Sequence, residues 1–269
     1  MGIDLHIHTN FSDGTLSPEQ VVKKAVELNL SAIAITDHDT TEGISPAIEE
    51  AKLTNIEVIP GIELNTHYYE QEIHILGYYF DYQGDYINEV LKKLQQNRVD
   101  RAKKIVEKLN RLGLNISYER VRGIASGPSI GRPHIAEAMI EKNYVNSIEE
   151  AFDKYIGEDA PAYVPREKLT PFEAIDIIKK AKGVPILAHP GLLKDQSVID
   201  ELIYYGIMGI EVYHSKHDKN QTEYYTELAL EKGLLMTGGS DSHGEEPLLL
   251  GTIYVPEKVL SDLKKSRRQ

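Results

Sequence analysis

The chain has no cysteine among its 269 residues. That excludes disulfides, thiolate zinc sites and a cysteine nucleophile for ester hydrolysis. Any bound metal must be held by imidazole and carboxylate. No stretch approaches the roughly 18 consecutive apolar residues that a membrane helix needs. The N-terminus lacks the basic-then-apolar order of a secretory leader, and a candidate site begins as early as His6. These absences read as a cytoplasmic protein without membrane association. There is no P-loop, no low-complexity tract and no internal repeat. Positive charge is also in short supply, with a formal net charge of −12. An acidic surface does not attract long nucleic acid, whereas clustered Asp and Glu are what multivalent cations require.

What is present is histidine, ten in all. The first two lie in Asp4-Leu-His6-Ile-His8. Strict alternation along a strand puts Ile3, Leu5 and Ile7 on one face and Asp4, His6 and His8 on the other. Apolar runs at 3–8, 31–36, 56–62, 73–79, 184–188, 207–213 and 234–238 read as seven strands. Helix-start signals stand between them. Ser17-Pro18-Glu19-Gln20 and Thr170-Pro171-Phe172-Glu173 each combine an N-cap, a first-turn proline and a capping-box partner, and Ser147 with Glu150 forms a third box. Strand–helix alternation predicts an α/β fold of parallel units, either a barrel or a doubly wound sheet.

The spacing breaks between the fourth and fifth strands. Helical patterns near 85–112, 133–142 and 148–155 fill the gap and predict an inserted helical lid over 82–168, with 1–81 and 169–269 forming the barrel. From Arg98 to Arg132 the insertion carries nine Lys/Arg against three Asp/Glu, a local +6 within an acidic chain. That reversal suits an anionic substrate.

Each strand delivers a histidine or carboxylate near its end: His6 and His8, then Asp37-His38-Asp39, Glu63, His74, His189, Glu211 with His214, and Asp241 with His243. In a β/α barrel such ends converge on one face. With Asp13, these motifs resemble the PHP (polymerase and histidinol phosphatase) superfamily. Gly131-Arg132-Pro133-His134 resembles the signature of a subgroup acting on nucleotide phosphates and oligonucleotides, including 5′-3′ exoribonucleases. The resemblance implies a distorted (β/α)7 barrel and three divalent ions, Mn²⁺, Zn²⁺ or Fe²⁺. It assigns one ion to His6, His8, Glu63 and Asp241, a second to Asp13, His38 and His243, and a third to Glu63, His74 and His189. Nitrogen and oxygen donors suit such metals. Clustered ions generate hydroxide at neutral pH and stabilise attacking and leaving oxygens.

The function so implied is hydrolysis of a phosphomonoester by a metal-bridging hydroxide. The substrate would be small and phosphorylated, a nucleotide or short oligonucleotide, with no long nucleic acid and no membrane involved. Asp13 and His38 are candidates for catalysis, and either His214 or His217 could protonate a leaving group. Arg98, Arg132, His134 and Lys216 are candidates for phosphate binding, since guanidinium matches phosphate bidentately. Asp37 and Asp39 could orient ligating imidazoles. Two other readings compete. One is an amidohydrolase-type metal hydrolase, which also opens with His-x-His but usually bridges its metals from the fourth strand. The other is a metal-stabilised scaffold without catalysis, which should have lost ligands.

Overall fold

The computed structural model describes residues 2–125, 130–165 and 169–267. Seven strands form one sheet in sequence order: β1 (Gly2–Ile7), β2 (Leu30–Ile35), β3 (Glu57–Tyr68), β4 (Gln71–Tyr78), β5 (Val184–Leu187), β6 (Gly209–His214) and β7 (Leu235–Gly239). The ends of the sheet meet. Ile7 bridges Ser242, the His8 N–H donates to the Ser242 carbonyl at 2.9 Å, and the Asp241 N–H donates to the His6 carbonyl at 2.9 Å. The result is a nearly closed barrel. Helices α1 (Pro18–Glu27), α2 (Ile44–Ala51), α3 (Asp85–Arg111), α4 (Tyr118–Ile124), α5 (Arg132–Glu141), α6 (Ile148–Ala151), α7 (Pro171–Lys180), α8 (Val198–Tyr205), α9 (Lys219–Lys232) and α10 (Glu257–Ser266) complete the order. The three sequence-read caps are present, with Ser17, Ser147 and Thr170 accepting from the backbone of Gln20, Glu150 and Glu173.

The barrel differs from a purely parallel one at β4. β3 and β4 form a long antiparallel hairpin, and β4 is antiparallel to β5 as well. Because β4 runs backwards, its earlier half reaches the rim where the other strands end. His74, paired with Asn65, therefore arrives at the same rim as Glu63.

Strict alternation also fails, twice. The β1–β2 register slips between Asp4 and Ile7. A one-residue slip exchanges the faces of a strand. Ile3 and Leu5 pack inward with Ala32 and Ala34, and beyond the slip His6 and His8 turn inward instead. Asp4 is left on the other side, where it accepts from the Ser240 and Gly251 N–H groups at 2.9 Å. A second slip in β6, between Glu211 and Tyr213, turns both Glu211 and His214 to the interior.

The chain divides into two compact units, Met1–Asn88 with Lys168–Gln269, and Glu89–Glu167. In the first, inward residues at the starts of the parallel strands (Ile3, Ala32, Ile59, Val184, Ile186) and Tyr78 at the end of the reversed β4 form one core with Val255, Val259 and Leu263. The C-terminal helix α10 thus plugs that end, and the chemistry is left to the other. The second unit has its own core, including Ile105, Leu109, Val121, Ile135, Met139 and Ile156. None of the described helices is long and apolar enough to cross a membrane.

Candidate metal centre

Glu63, at the β3 rim, is the hub of the barrel's open end. Its Oε2 lies 3.2 Å from His6 Nε2, 3.1 Å from His8 Nε2 and 3.2 Å from His38 Nδ1. Its Oε1 lies 2.8 Å from His74 Nδ1 and 3.1 Å from His189 Nε2. Asp241 joins from the end of β7, with Oδ1 at 3.2 Å from His8 Nε2 and 3.5 Å from His6 Nε2. Asp13 closes the outer side, 3.6 Å from His38 Nε2 and 3.4 Å from His243 Nε2. The rings of His8 and His243 stack with centroids 4.2 Å apart.

Among the described residues, four ligand-like groups have donor atoms within 4.8 Å of one another: His6, His8, Glu63 and Asp241; His8, Asp13, His38 and His243; His38, Glu63 and His74; and His6, Glu211 and His214. The first coincides with a set implied by the family resemblance. The second adds His8 to the expected trio. The third has His38 where His189 was expected, although His189 does meet Glu63.

Hydrogen-bond partners orient several imidazoles. His6 Nδ1 faces Glu211 Oε1 at 3.0 Å, so its Nε2 turns to Glu63. His243 Nδ1 donates to the Asp241 carbonyl at 3.0 Å, which frees Nε2. By contrast, His217 has no free nitrogen. Its Nδ1 donates to the Val212 carbonyl at 2.9 Å and its Nε2 accepts the Gly191 N–H at 3.1 Å. Asp37 and Asp39 both serve loops beside the cluster. Asp37 accepts from the Thr9 N–H, the Thr9 hydroxyl and the Ser12 hydroxyl, all at 2.7 Å, and so braces the loop carrying Asp13. Asp39 accepts from the Asn65 backbone at 3.0 Å.

The electrostatics follow from burial among opposite charges. Burial would raise Glu63, but the imidazoles of His38, His6 and His74 hold it well below the ordinary carboxylate range. Asp13 and Asp241 are likewise held low by neighbouring imidazoles despite burial. Burial would lower His8, but the Asp241 and Glu63 carboxylates push it up to about 10. His38 goes the other way, with burial taking it down to about 4.

Such donors fit divalent cations. Among the described residues, both ring nitrogens of His8, Nδ1 of His38 and of His189, and Nε2 of His214 are buried without a hydrogen-bond partner. Buried polar atoms are seldom left so. Hard oxygen and borderline nitrogen ligands, with no sulfur, suit Mn²⁺, Zn²⁺ or Fe²⁺.

Of the remaining sequence candidates, Lys216 belongs to the barrel unit, and Arg98, Arg132 and His134 to the second unit. Lys216 is exposed after β6. Arg132 belongs to the second unit, where its guanidinium stacks on Phe152 (4.9 Å to the ring centroid) and donates to the Ile156 carbonyl at 3.3 Å. His134 accepts the Gly131 N–H at 3.0 Å through Nδ1, capping its own helix. Arg98 is partly buried in α3. Glu211 was visible in the sequence as a strand-end acid but had no assigned task.

Comparison with known proteins agrees with this geometry. The PHP domain family model matches residues 4–180. The chain is 33% identical over 247 residues to the 5′-3′ exoribonuclease Rnm of Escherichia coli, covering 89% of this chain and 84% of that protein. It is 29% identical over 247 residues to the 3′,5′-nucleoside bisphosphate phosphatase of Chromobacterium violaceum, covering 90% and 87%. A solved structure described as a metal-dependent phosphoesterase from Bifidobacterium adolescentis superposes with a TM-score of 0.84 at 30% identity, covering 98% of this chain and 95% of that one. The class defined by barrel and site is therefore a metal-dependent phosphoesterase fold. The chain belongs to the PHP domain family.

Proposed function

We propose that this protein is a metal-dependent phosphoesterase that hydrolyses a phosphomonoester, with a nucleotide or the end of a short oligonucleotide as substrate. The observation that carries the reading is the ring of imidazoles around one buried carboxylate, Glu63, at the open end of the barrel. The substrate class is supported by the named activities of the exoribonuclease and the bisphosphate phosphatase to which the chain is similar. The same proposal takes the protein as cytoplasmic and the insertion, 82–168, as its lid.

Three divalent ions, Mn²⁺, Zn²⁺ or Fe²⁺, are proposed: one on His6, His8, Glu63 and Asp241, one on Asp13, His38 and His243, and one on Glu63, His74 and His189. When bound, such ions lower the pKa of water toward neutrality and polarise a phosphoryl oxygen. The chain's own residues prepare that chemistry. Glu63 and Asp241 stay ionised because imidazoles surround them. Thr9 and Ser12, tied to Asp37, hold the loop from which Asp13 reaches His38 and His243. His214 accepts the Lys216 N–H on Nδ1 at 3.1 Å, so a neutral ring keeps its proton on Nε2, 3.5 Å from Asp241 Oδ2. Of the two histidines after β6, His214 is thus the one holding a proton toward the cluster. Lys216 is proposed to meet the phosphate, and Arg98, Arg132 and His134 are proposed for the same task from the sequence.

The test is a screen of metal-stripped protein, with Mn²⁺ added back, against nucleoside monophosphates, 3′,5′-bisphosphates, dinucleotides, amides and lactones. Metal-dependent release of inorganic phosphate or of a terminal nucleotide is expected. Turnover of an amide or lactone with none of any phosphoester contradicts the proposal.

A further inference from the structure

Glu211 is in none of the ligand sets proposed above, yet it is wholly buried at the edge of the cluster. Its carboxylate spans two of the proposed ligands. Oε1 is 3.0 Å from His6 Nδ1, and Oε2 is 3.2 Å from the same nitrogen and accepts the His189 backbone N–H at 2.8 Å. His6 comes from β1 and His189 from the turn after β5, so one side chain ties together two rim segments far apart in sequence.

The His189 end of this tie is strained. His189 has φ 25° and ψ 59°. A non-glycine residue keeps such a backbone only where its surroundings over-determine it. The surroundings here come from β6 and the segment following it. Glu211 takes the His189 N–H, His217 Nε2 takes the Gly191 N–H at 3.1 Å, and Gln221 Nε2 donates to the Gly191 carbonyl at 3.2 Å. His217 is in turn fastened to the Val212 carbonyl, next to Glu211 in the chain. A Cβ on Gly191 would meet the His217 ring at 2.6 Å, which shows how closely the turn is seated.

We propose that Glu211 is a positioning residue for the cluster. It fixes His6 as the Nδ1–H tautomer with its Nε2 lone pair toward Glu63 and Asp241, and it pins the His189 backbone so that His189 Nε2 meets Glu63. A carboxylate on the non-ligating nitrogen orients an imidazole and makes it a better donor. The slip in β6 is what lets Glu211 do this while His214, three residues on, also faces inward. His6, Glu211 and His214 are close enough to be mistaken for a further cation site. That alternative fails on protons. A cation there would need His6 to surrender its Nδ1 proton as well. His214 would need a bare Nε2, which its acceptance of the Lys216 N–H on Nδ1 opposes.

This inference rests on reading the cluster as a metal centre, which metal binding by the wild type tests alone. The experiment is titration of full-length, metal-stripped wild type and Glu211→Gln with Mn²⁺, followed by electron paramagnetic resonance of free Mn²⁺. Glutamine keeps the shape but loses the charge and one of the two acceptor oxygens, so it holds the His6 Nδ1–H and the His189 N–H more weakly. Mn²⁺ affinity should fall about 10- to 100-fold, and activity at saturating Mn²⁺ should largely recover. Unchanged Mn²⁺ affinity with a lowered metal-free Tm would show a structural role only and overturn the proposal. A wild type that binds no Mn²⁺ overturns the metal-centre reading and this inference with it. Should Glu211→Gln fail to fold, ¹⁵N-histidine spectra of the Zn²⁺-loaded wild type decide the matter. His6 protonated on Nδ1 is expected, and His6 protonated on Nε2 refutes it.

Discussion

Asp241→Asn isolates the cluster from the fold. Asp241 sits at φ 55°, a left-handed backbone that asparagine adopts about as readily as aspartate. The substitution is nearly isosteric, and the side chain lies at the rim rather than in the apolar core. What changes is charge. Asp241 faces His8 Nε2 at 3.2 Å, His6 Nε2 at 3.5 Å and His214 Nε2 at 3.5 Å. One unit charge acting on another at about 4 Å is worth about 4 kcal/mol at an effective dielectric of about 20. At about 1.4 kcal/mol per decade that is roughly a thousand-fold in binding, and a dication feels the loss twice. Metal content measured by mass spectrometry should therefore fall, kcat/KM should fall at least about a thousand-fold, and the circular dichroism spectrum should stay that of the wild type. A variant that keeps its metal and turns over within about tenfold of wild type would refute the role given to Asp241.

Other outcomes are equally specific. His8, pushed from 6.5 to about 10 by Asp241 and Glu63, carries a proton near neutrality in the metal-free protein. Its stabilising contribution is whole below about pH 6.5 and is lost as the pH rises toward 10, so metal-free Tm should fall across that window and metal-loaded Tm should not. The displaced proton should appear when calorimetric titrations with Zn²⁺ are repeated in buffers of different ionisation enthalpy. Gly239→Ala places a Cβ 2.4 Å from the His6 Cβ and should destabilise by about 3 kcal/mol or more in denaturant melts; a change under about 1 kcal/mol would mean that β1 and β7 can part freely. His214→Gln should lower kcat about 100-fold while leaving metal content unchanged; loss of metal instead would make His214 a ligand. Arg132→Ala should raise KM for phosphate substrates with little effect on kcat; an unchanged KM confines Arg132 to its packing on Phe152.

Much of the fold was legible because strand and helix periods differ, and because Ser17-Pro18 and Thr170-Pro171 announce helix starts chemically. All seven strands lie where apolar runs predicted them. The direction of β4 was not legible. The turn between β3 and β4 passes through Tyr69, at φ 49°, and Glu70, with none of the Asn-Gly or Asp-Gly chemistry that marks a two-residue hairpin. The faces of β1 differ from strict alternation for another cause. A bulge is a property of pairing between strands and leaves no trace in the alternation of one of them. That is why alternation groups Asp4 with His6 and His8, and why the sequence does not show Glu211 meeting His6 and the His189 backbone. The candidate ligands were legible as strand-end imidazoles and acids, and proximity to Glu63 is what the structure adds. His214 and His217 could not be told apart in sequence, since the difference is one of partners: both nitrogens of His217 are taken by backbone groups. The helix α4 was missed in a segment with few apolar repeats, although Ser117 caps it by accepting from Arg120.

The central claim is that imidazoles and carboxylates from six of the seven strands and the turns beside them build one cation-binding pocket around Glu63. Anomalous X-ray scattering from crystals of the full chain grown with Mn²⁺ tests it directly. The account predicts three peaks within bonding distance of the imidazole nitrogens of His6, His8, His38, His74, His189 and His243, two of them sharing Glu63. Well-ordered crystals with those side chains in place and no peak at Glu63 under saturating Mn²⁺ would contradict it.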